Sequence, residues 1–379
     1  MTGTMLWLVL STLTPVFFSG HDRWTGFRES RAAIEPVTPE KIRKTTSFKN
    51  WGLYNLKARL GKIASHIFAV DAWKIERGSR SVVVAVVDTG VDPLHPDLTL
   101  NLWHAPTTKG ADGKPAYGWD FADNKPNPID IHGHGTHVAG IIGAVTNPKA
   151  GVSGVSPEVT LLPIRYYKDS NPGVVNLQNT VRAIHYAIDQ GVRIINYSGG
   201  GPKYAHEEYL ALKRAESHGI LVVTAAGNNH ENTDLAENSY YPGAYRLTNI
   251  LSVAATNIKN ELLGSSNWGR TTVDVAAPGE DIYSTIPDGK YGFLSGTSQA
   301  TAFVSGLAAL ILAKNPRLTP PEVIALIRQG VDPLSSLSGK LISGGRINAF
   351  KTLVLMDRPK TKPVATDWMR LIASPPGKP

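Results

Sequence analysis

Five apolar runs, rich in β-branched residues and almost free of polar alternation, limit what this chain can fold into more than any other feature. They are "SVVVAVVD" (Ser81–Asp88), "VTLLPIR" (Val159–Arg165), "VRIINYS" (Val192–Ser198), "ILVVTAAGN" (Ile220–Asn228) and "ILSVAAT" (Ile250–Thr256). A strand wetted on one face alternates apolar and polar residues, whereas a strand covered on both faces reads as a continuous run. Helical patterns lie between the runs: Val174–Gly191 ends in a capping glycine, Tyr204–His218 is followed by Gly219, and Gln299–Lys314 stops before Pro316. Strands alternating with helices predict an α/β protein. Its core would be a doubly wound parallel sheet flanked by helices, with right-handed crossovers. A chain of 379 residues is long enough for one large domain of this kind. The globular pattern runs from Phe48 to Leu355, and we read it as a single domain.

The two ends differ from this body. Residues 1–20 hold an apolar stretch, Met5 to Leu13, ahead of the small residues Ser19 and Gly20, which reads as a signal peptide or an uncleaved anchor. Residues 21–47 are polar and mixed, and read as a leader or short pro-segment. Residues 356–379 form a Pro- and Lys-rich tail. The net charge of +8 sits mainly in the approach to the body: His21 to Arg80 carry 13 Lys and Arg against 6 Asp and Glu. With a near-neutral body and no nucleic-acid motif, the charge points to a solvated segment and not to a nucleic-acid partner. The absence of cysteine excludes disulfides, thiolate metal sites and a cysteine nucleophile. It agrees with a secreted or periplasmic location. A membrane contact is expected only if the first segment stays attached, and a monomer is the expected state.

In open α/β sheets the ligand crevice lies beyond the carboxyl ends of the strands. Asp88 ends the first run there, before Thr89 and Gly90. "HGHGTHVAGIIG" (His132–Gly143) brings His134 to the start of a glycine-flanked helix, and "AAGN" ends another run at Asn228. "LSGTSQATAFVSG" places Ser298 at the start of an Ala-rich helix, as its cap and as a nucleophile. Each residue alone has a plain explanation: a turn Asp, a surface His, a turn Asn, a capping Ser. Together they would meet at one rim, as an acyl-transfer site requires. A metal hydrolase built on His132, His134 and His137 is the distant alternative. His137 would point inward one turn after His134, and no histidine follows His230.

The blocks "VVDTGVD", "HGTHVAG" and "GTSQATAFVSG" resemble the Asp, His and Ser motifs of the subtilisin-like serine proteases, in that family's order. "INYSGGGP" and "AAGNN" resemble its substrate-edge and oxyanion blocks. The resemblance implies a serine endopeptidase acting on proteins or peptides. Ser298 would be its nucleophile, His134 its general base, Asp88 the residue that orients the base, and Asn228 an oxyanion donor. Ser198, Gly199 and Gly200 would form the edge to which a substrate strand adds, and Tyr240 the floor of the first specificity pocket. A folded protein that binds without catalysing is the rival from another class, and the presence of all four chemical residues argues against it.

Departures from the family pattern carry their own expectations. Gly199 stands where a larger apolar residue is usual, so the pockets would lose a wall. Tyr240, if it points inward, would exclude large side chains. Gln299 replaces a Met beside the nucleophile, and Ala302 and Phe303 replace a Pro and a His. No cofactor is implied for the chemistry. A structural calcium is the softer implication, held by Asp97 and Asn147 through side-chain oxygens and by carbonyls near Val145 and Val152. A metal-free turn there is the alternative.

Overall fold

The computed structural model describes residues 49–55, 64–147, 149–150 and 152–357. The expected signal segment, leader and most of the tail lie outside them. The described chain forms a short helix α1 (Ala69–Ala72) and then β1 (Val83–Asp88), β2 (Trp119–Asp120) and β3 (Lys125–Pro126). Helix α2 (His134–Gly143), β4 (Thr160–Arg165), α3 (Gly173–Asp189) and β5 (Ile194–Tyr197) follow. Next come α4 (His206–Ser217), β6 (Leu221–Ala225), β7 (Ile250–Thr256) and β8 (Val275–Pro278). A hairpin of β9 (Ile282–Ile286) and β10 (Lys290–Leu294) precedes the long helix α5 (Thr297–Lys314). The chain closes with α6 (Pro320–Gln329), β11 (Asp332–Pro333), β12 (Gly345–Arg346) and α7 (Ala349–Leu355).

Ten strands make one sheet in the order β11-β12-β8-β7-β6-β5-β1-β4-β2-β3. Its central pairs, from β4 through β1, β5, β6 and β7 to β8, are all parallel. Antiparallel pairing is confined to the two outer ends. The five runs singled out in the sequence are five of these central strands, buried along nearly their whole length. Helices cover both faces, and a hydrophobic cluster lies on each side of the sheet.

Strand order turns back at β1, which pairs with β4 on one side and β5 on the other. A crevice opens beyond the carboxyl ends where neighbouring connections leave in opposite directions. Helix α5 runs through the core on one face and is buried from Thr297 to Leu312. That explains its weak polar pattern: a helix surrounded by protein needs no wet face. It also fixes where its first turn, and so Ser298, can stand.

Candidate active site

Asp88 ends β1, and His134 opens α2. Their approach depends on Gly135, because a Cβ there would come within 2.1 Å of the Gly90 carbonyl oxygen. His134 Nδ1–H donates to Asp88 Oδ1 at 2.7 Å, and both residues are buried, at 6% and 3% exposure. Asp88 Oδ1 also accepts the Thr89 N–H at 2.8 Å. Burial alone would lower the His134 pKa. The charge of Asp88 and its hydrogen bond raise it by more, so the net shift is upward.

Asp130, which the sequence reading missed, holds this half of the site together. One of its oxygens accepts from Thr89 Oγ1, His132 N and Gly133 N, and the other from Thr136 N and Thr136 Oγ1, all at 2.6–3.0 Å. Thr89 Oγ1 in turn accepts the Gly135 N–H at 2.9 Å. One buried carboxylate thus ties the end of β1 to the first turn of α2. The signal was available as a second Asp four residues before His134, in "PIDIHGH".

The three histidines do not share a centre. His132 is exposed, with its ring centroid 6.4 Å from that of His134. His137 is fully buried, its Nε2–H donates to the Ile282 carbonyl at 2.9 Å, and burial lowers its pKa to about 3.

Ser298 is the second residue of α5, and Gly296 is the cap. The expected capping role of Ser298 is therefore corrected. The helix end is met from outside instead: Asn228 Oδ1 accepts the Thr297 N–H at 3.0 Å and the Thr297 hydroxyl at 3.1 Å. With its oxygen so committed, the amide of Asn228 turns its Nδ2 the other way. Asn267, also missed, ties down the loop after β6. It donates to the Ala226 carbonyl and accepts from Asn229 N and Glu231 N.

Ser298 Oγ donates to the Ser198 carbonyl at 3.3 Å, and Ser198 Oγ donates to the Ser298 carbonyl at 3.4 Å. No hydrogen bond joins Ser298 to His134 among the described residues. The Ser198–Gly200 segment leaves β5 directly, and α5 grips that strand through Ser305 Oγ on Asn196 Oδ1 at 2.8 Å.

Tyr240 points inward. A Cβ on Gly200 would stand 2.6 Å from its Cε1, and one on Gly227 would stand 2.9 Å from its Cε2, so the ring lies between the two glycine segments. At Gly199 two tyrosine rings take up the space beside the backbone. A Cβ there would meet the Tyr166 hydroxyl at 2.3 Å and the Tyr197 ring at 2.7 Å, so these rings fill the space that a larger residue at 199 would take.

The positions expected to hold calcium also converge. Asp97, which is 3% exposed, accepts Asn147 Nδ2 at 2.8 Å and the Tyr291 hydroxyl at 2.6 Å. The Val145 N–H donates to the Asp97 carbonyl, and the Asn147 N–H donates to the Val152 carbonyl. The donor set fits a hard cation in kind, being a carboxylate, an amide and carbonyls. In the arrangement described, protein donors already satisfy the carboxylate.

The model of the subtilase family matches residues 79–341. The chain belongs to the subtilase family. Among its relatives, thermitase of Thermoactinomyces vulgaris is 39% identical over 287 residues, covering 76% of this chain and 93% of thermitase. The intracellular serine protease of Paenibacillus polymyxa is 40% identical over 279 residues, 71% of this chain and 79% of that one. A thermophilic serine proteinase of a Bacillus species is 38% identical over 74% of this chain, which spans 64% of that relative's length. Among solved structures, a protease from Pseudoalteromonas arctica superimposes with a TM-score of 0.68 at 26% identity, over 82% of this chain and 99% of the other. This subtilase is thus a subtilisin-like serine endopeptidase, a hydrolase of proteins or peptides, on a mostly parallel sheet flanked by helices.

Proposed function

We propose that this subtilase cuts peptide bonds through Asp88, His134 and Ser298, with an acyl-enzyme intermediate. The observation that carries this reading is the buried 2.7 Å bond from His134 Nδ1 to Asp88. It fixes the tautomer that leaves Nε2 as the base. Ser298 Oγ attacks the carbonyl carbon of the residue before the cut, termed P1, while its proton passes to His134. The C=O electron pair moves to the oxygen, where Asn228 Nδ2 and the Ser298 N–H donate. Collapse expels the amine, which takes the proton from His134. Water then repeats the sequence on the ester and frees the acid.

Substrate adds as a strand along Ser198–Gly200. An incoming N–H that takes the Ser198 carbonyl displaces the Ser298 hydroxyl from it, and so frees the nucleophile on binding. Tyr240, lying between the Gly200 and Gly227 segments, limits P1 to small side chains such as Gly, Ala or Ser. We assign residues 48–355 to one catalytic unit that works as a secreted or periplasmic monomer. Residues 1–20 would direct export or anchor the chain, 21–47 would be a leader, and 356–379 a tail. Asp97, Asn147 and the carbonyls of Val145 and Val152 would hold a structural calcium, which would tie the loop after α2 to the loop after β1.

Fluorophosphonate labelling of purified protein, beside Ser298→Ala and a casein-release assay, tests the chemistry. Labelling and release that both vanish in the variant are the expected result. A folded but unlabelled wild type, also after trimming of residues 1–47, would replace this reading with that of a binding module. Cell fractionation checks the location, and sedimentation checks the state of association.

A further inference from the structure

Helix α4 buries a carboxyl group in its first turn. Glu207 stays on the surface, but Glu208 beside it is 2% exposed. Burying a carboxyl group is unfavourable unless polar partners receive it. Glu208 finds them in tyrosines from the two segments that flank the first specificity pocket. The Tyr245 hydroxyl lies 2.7 Å from its Oε2. The Tyr197 hydroxyl faces the same carboxyl, and the Tyr240 hydroxyl is within its electrostatic reach. Burial raises the Glu208 pKa by more than the hydroxyls of Tyr245 and Tyr197 lower it.

The places of these tyrosines give the carboxyl its importance. Tyr197 immediately precedes the Ser198–Gly200 edge, and Tyr245 closes the segment that begins with Tyr240. The two segments are laced together, because Gly201 and Tyr241 exchange backbone hydrogen bonds at 2.8 and 3.0 Å. The Tyr245 hydroxyl adds a second tie, 2.9 Å from the Ala205 carbonyl oxygen and 3.2 Å from the Ala205 nitrogen. Gly200 leaves no slack, since a Cβ there would stand 2.4 Å from the Tyr241 carbonyl oxygen. We propose that Glu208 is a positioning residue for substrate selection, one that sets the distance between the Ser198–Gly200 edge and the Tyr240 ring. It acts through Tyr197 and Tyr245 and not by contact with substrate. The inference rests on the reading of Ser298 as nucleophile and of Tyr240 as the limit on P1.

The test compares wild type with Glu208→Leu, which removes the polar contacts and keeps an apolar bulk. Glu208→Gln is the conservative partner, because its amide can meet the Tyr245 hydroxyl as donor or acceptor. Tyr245→Phe cuts the same tie from its other end, and carries the test if the leucine variant does not fold. The readout is the ratio of kcat/KM for two peptides that differ only in Ala or Phe at P1, with enzyme counted by fluorophosphonate labelling. Glu208→Leu and Tyr245→Phe should each lower the Ala-to-Phe ratio about tenfold, the size that one methylene is worth in a specificity pocket. Glu208→Gln should keep the wild-type ratio. An unchanged ratio in both the leucine and phenylalanine variants would overturn the assignment. So would an equal loss on both peptides, the mark of a merely structural role, or a Gln variant that shifts as far as the leucine one. A folded wild type that takes no label would remove the nucleophile reading, and a labelled wild type that prefers Phe would remove the Tyr240 reading. Either would take this proposal with it.

Discussion

The two halves of the cleft are built by different physics. On the Asp88–His134 side, position is set by hydrogen bonds to buried carboxylates, with Asp130 alone accepting five. On the Ser198–Gly200 side, shape is set by volume: glycines leave room, and Tyr166, Tyr197 and Tyr240 occupy it. A hydrogen-bonded network fails when one member is lost, because the remaining groups stay buried and unpaired. A packed wall can exchange bulk between neighbours and remain a wall. The first half therefore tolerates almost no substitution, whereas the second is where preference can change without loss of chemistry.

The largest effect should come from Ser298, the proposed nucleophile. Ser298→Ala is expected to lower kcat by about 10⁶, the size seen in subtilisin itself, while the melting temperature stays within a few degrees. Asp130→Ala should damage both properties together, since five donors lose their acceptor. We expect a loss of about 3–5 kcal/mol in a urea titration and a fall in kcat as well. If activity fell with stability intact, the carboxylate would be part of the proton path and not a brace.

Tyr240→Gly should break the comparison from the other side. Cleavage after Phe or Leu should rise by about 10–100-fold over wild type in a peptide library, as expected when room for a large apolar side chain opens. The triad chemistry, read by labelling rate, should not change. Efficient wild-type cleavage after Phe would remove Tyr240 from its role.

The pH profile gives a smaller, signed effect. Because the net shift of His134 is upward, the acid limb of kcat/KM should lie above pH 6.5, the ordinary imidazole value, and activity should fall as pH drops through it. Stability runs the opposite way. The charged His134–Asp88 pair contributes fully below the unfolded value, and its contribution is lost as pH rises through the folded one. Asp88→Asn should move the limb down. The smallest effect concerns Asp97: a chelator should lower the melting temperature by a few degrees, and Tyr291→Phe should widen that gap. No shift in chelator would leave Asn147 and Tyr291 as the partners of the Asp97 carboxylate among the described residues.

Legibility in the sequence followed the same division. Buried parallel strands announce themselves as unbroken runs, so β1 and β4 to β7 were readable within about two or three residues at each end. Motif residues at strand and helix ends were readable because the sheet gathers them at one rim. Asp130 and Asn267 were not, because three of the five donors to Asp130 and the side-chain partners of Asn267 are backbone groups, which any sequence supplies. The packing at Gly199 was not legible for a related reason: the space there is filled by Tyr166 from beyond β4 and Tyr197 at the end of β5, and a linear reading does not show which distant ring fills a gap. Ser298 was taken for a cap because hydroxyl residues commonly cap, yet here a glycine does so and Asn228 supplies the acceptor.

A protease must survive its own kind, and the burial of helix α5 bears on that. The helix that carries Ser298 is also the centre of the largest hydrophobic cluster, so the site cannot come apart locally while the core persists. Loss of activity on heating should then coincide with global unfolding as a single cooperative event. Self-digestion would begin instead at exposed loop backbone such as residues 106–115. Such a molecule would age by nicking at its edge while its cutting centre stays whole.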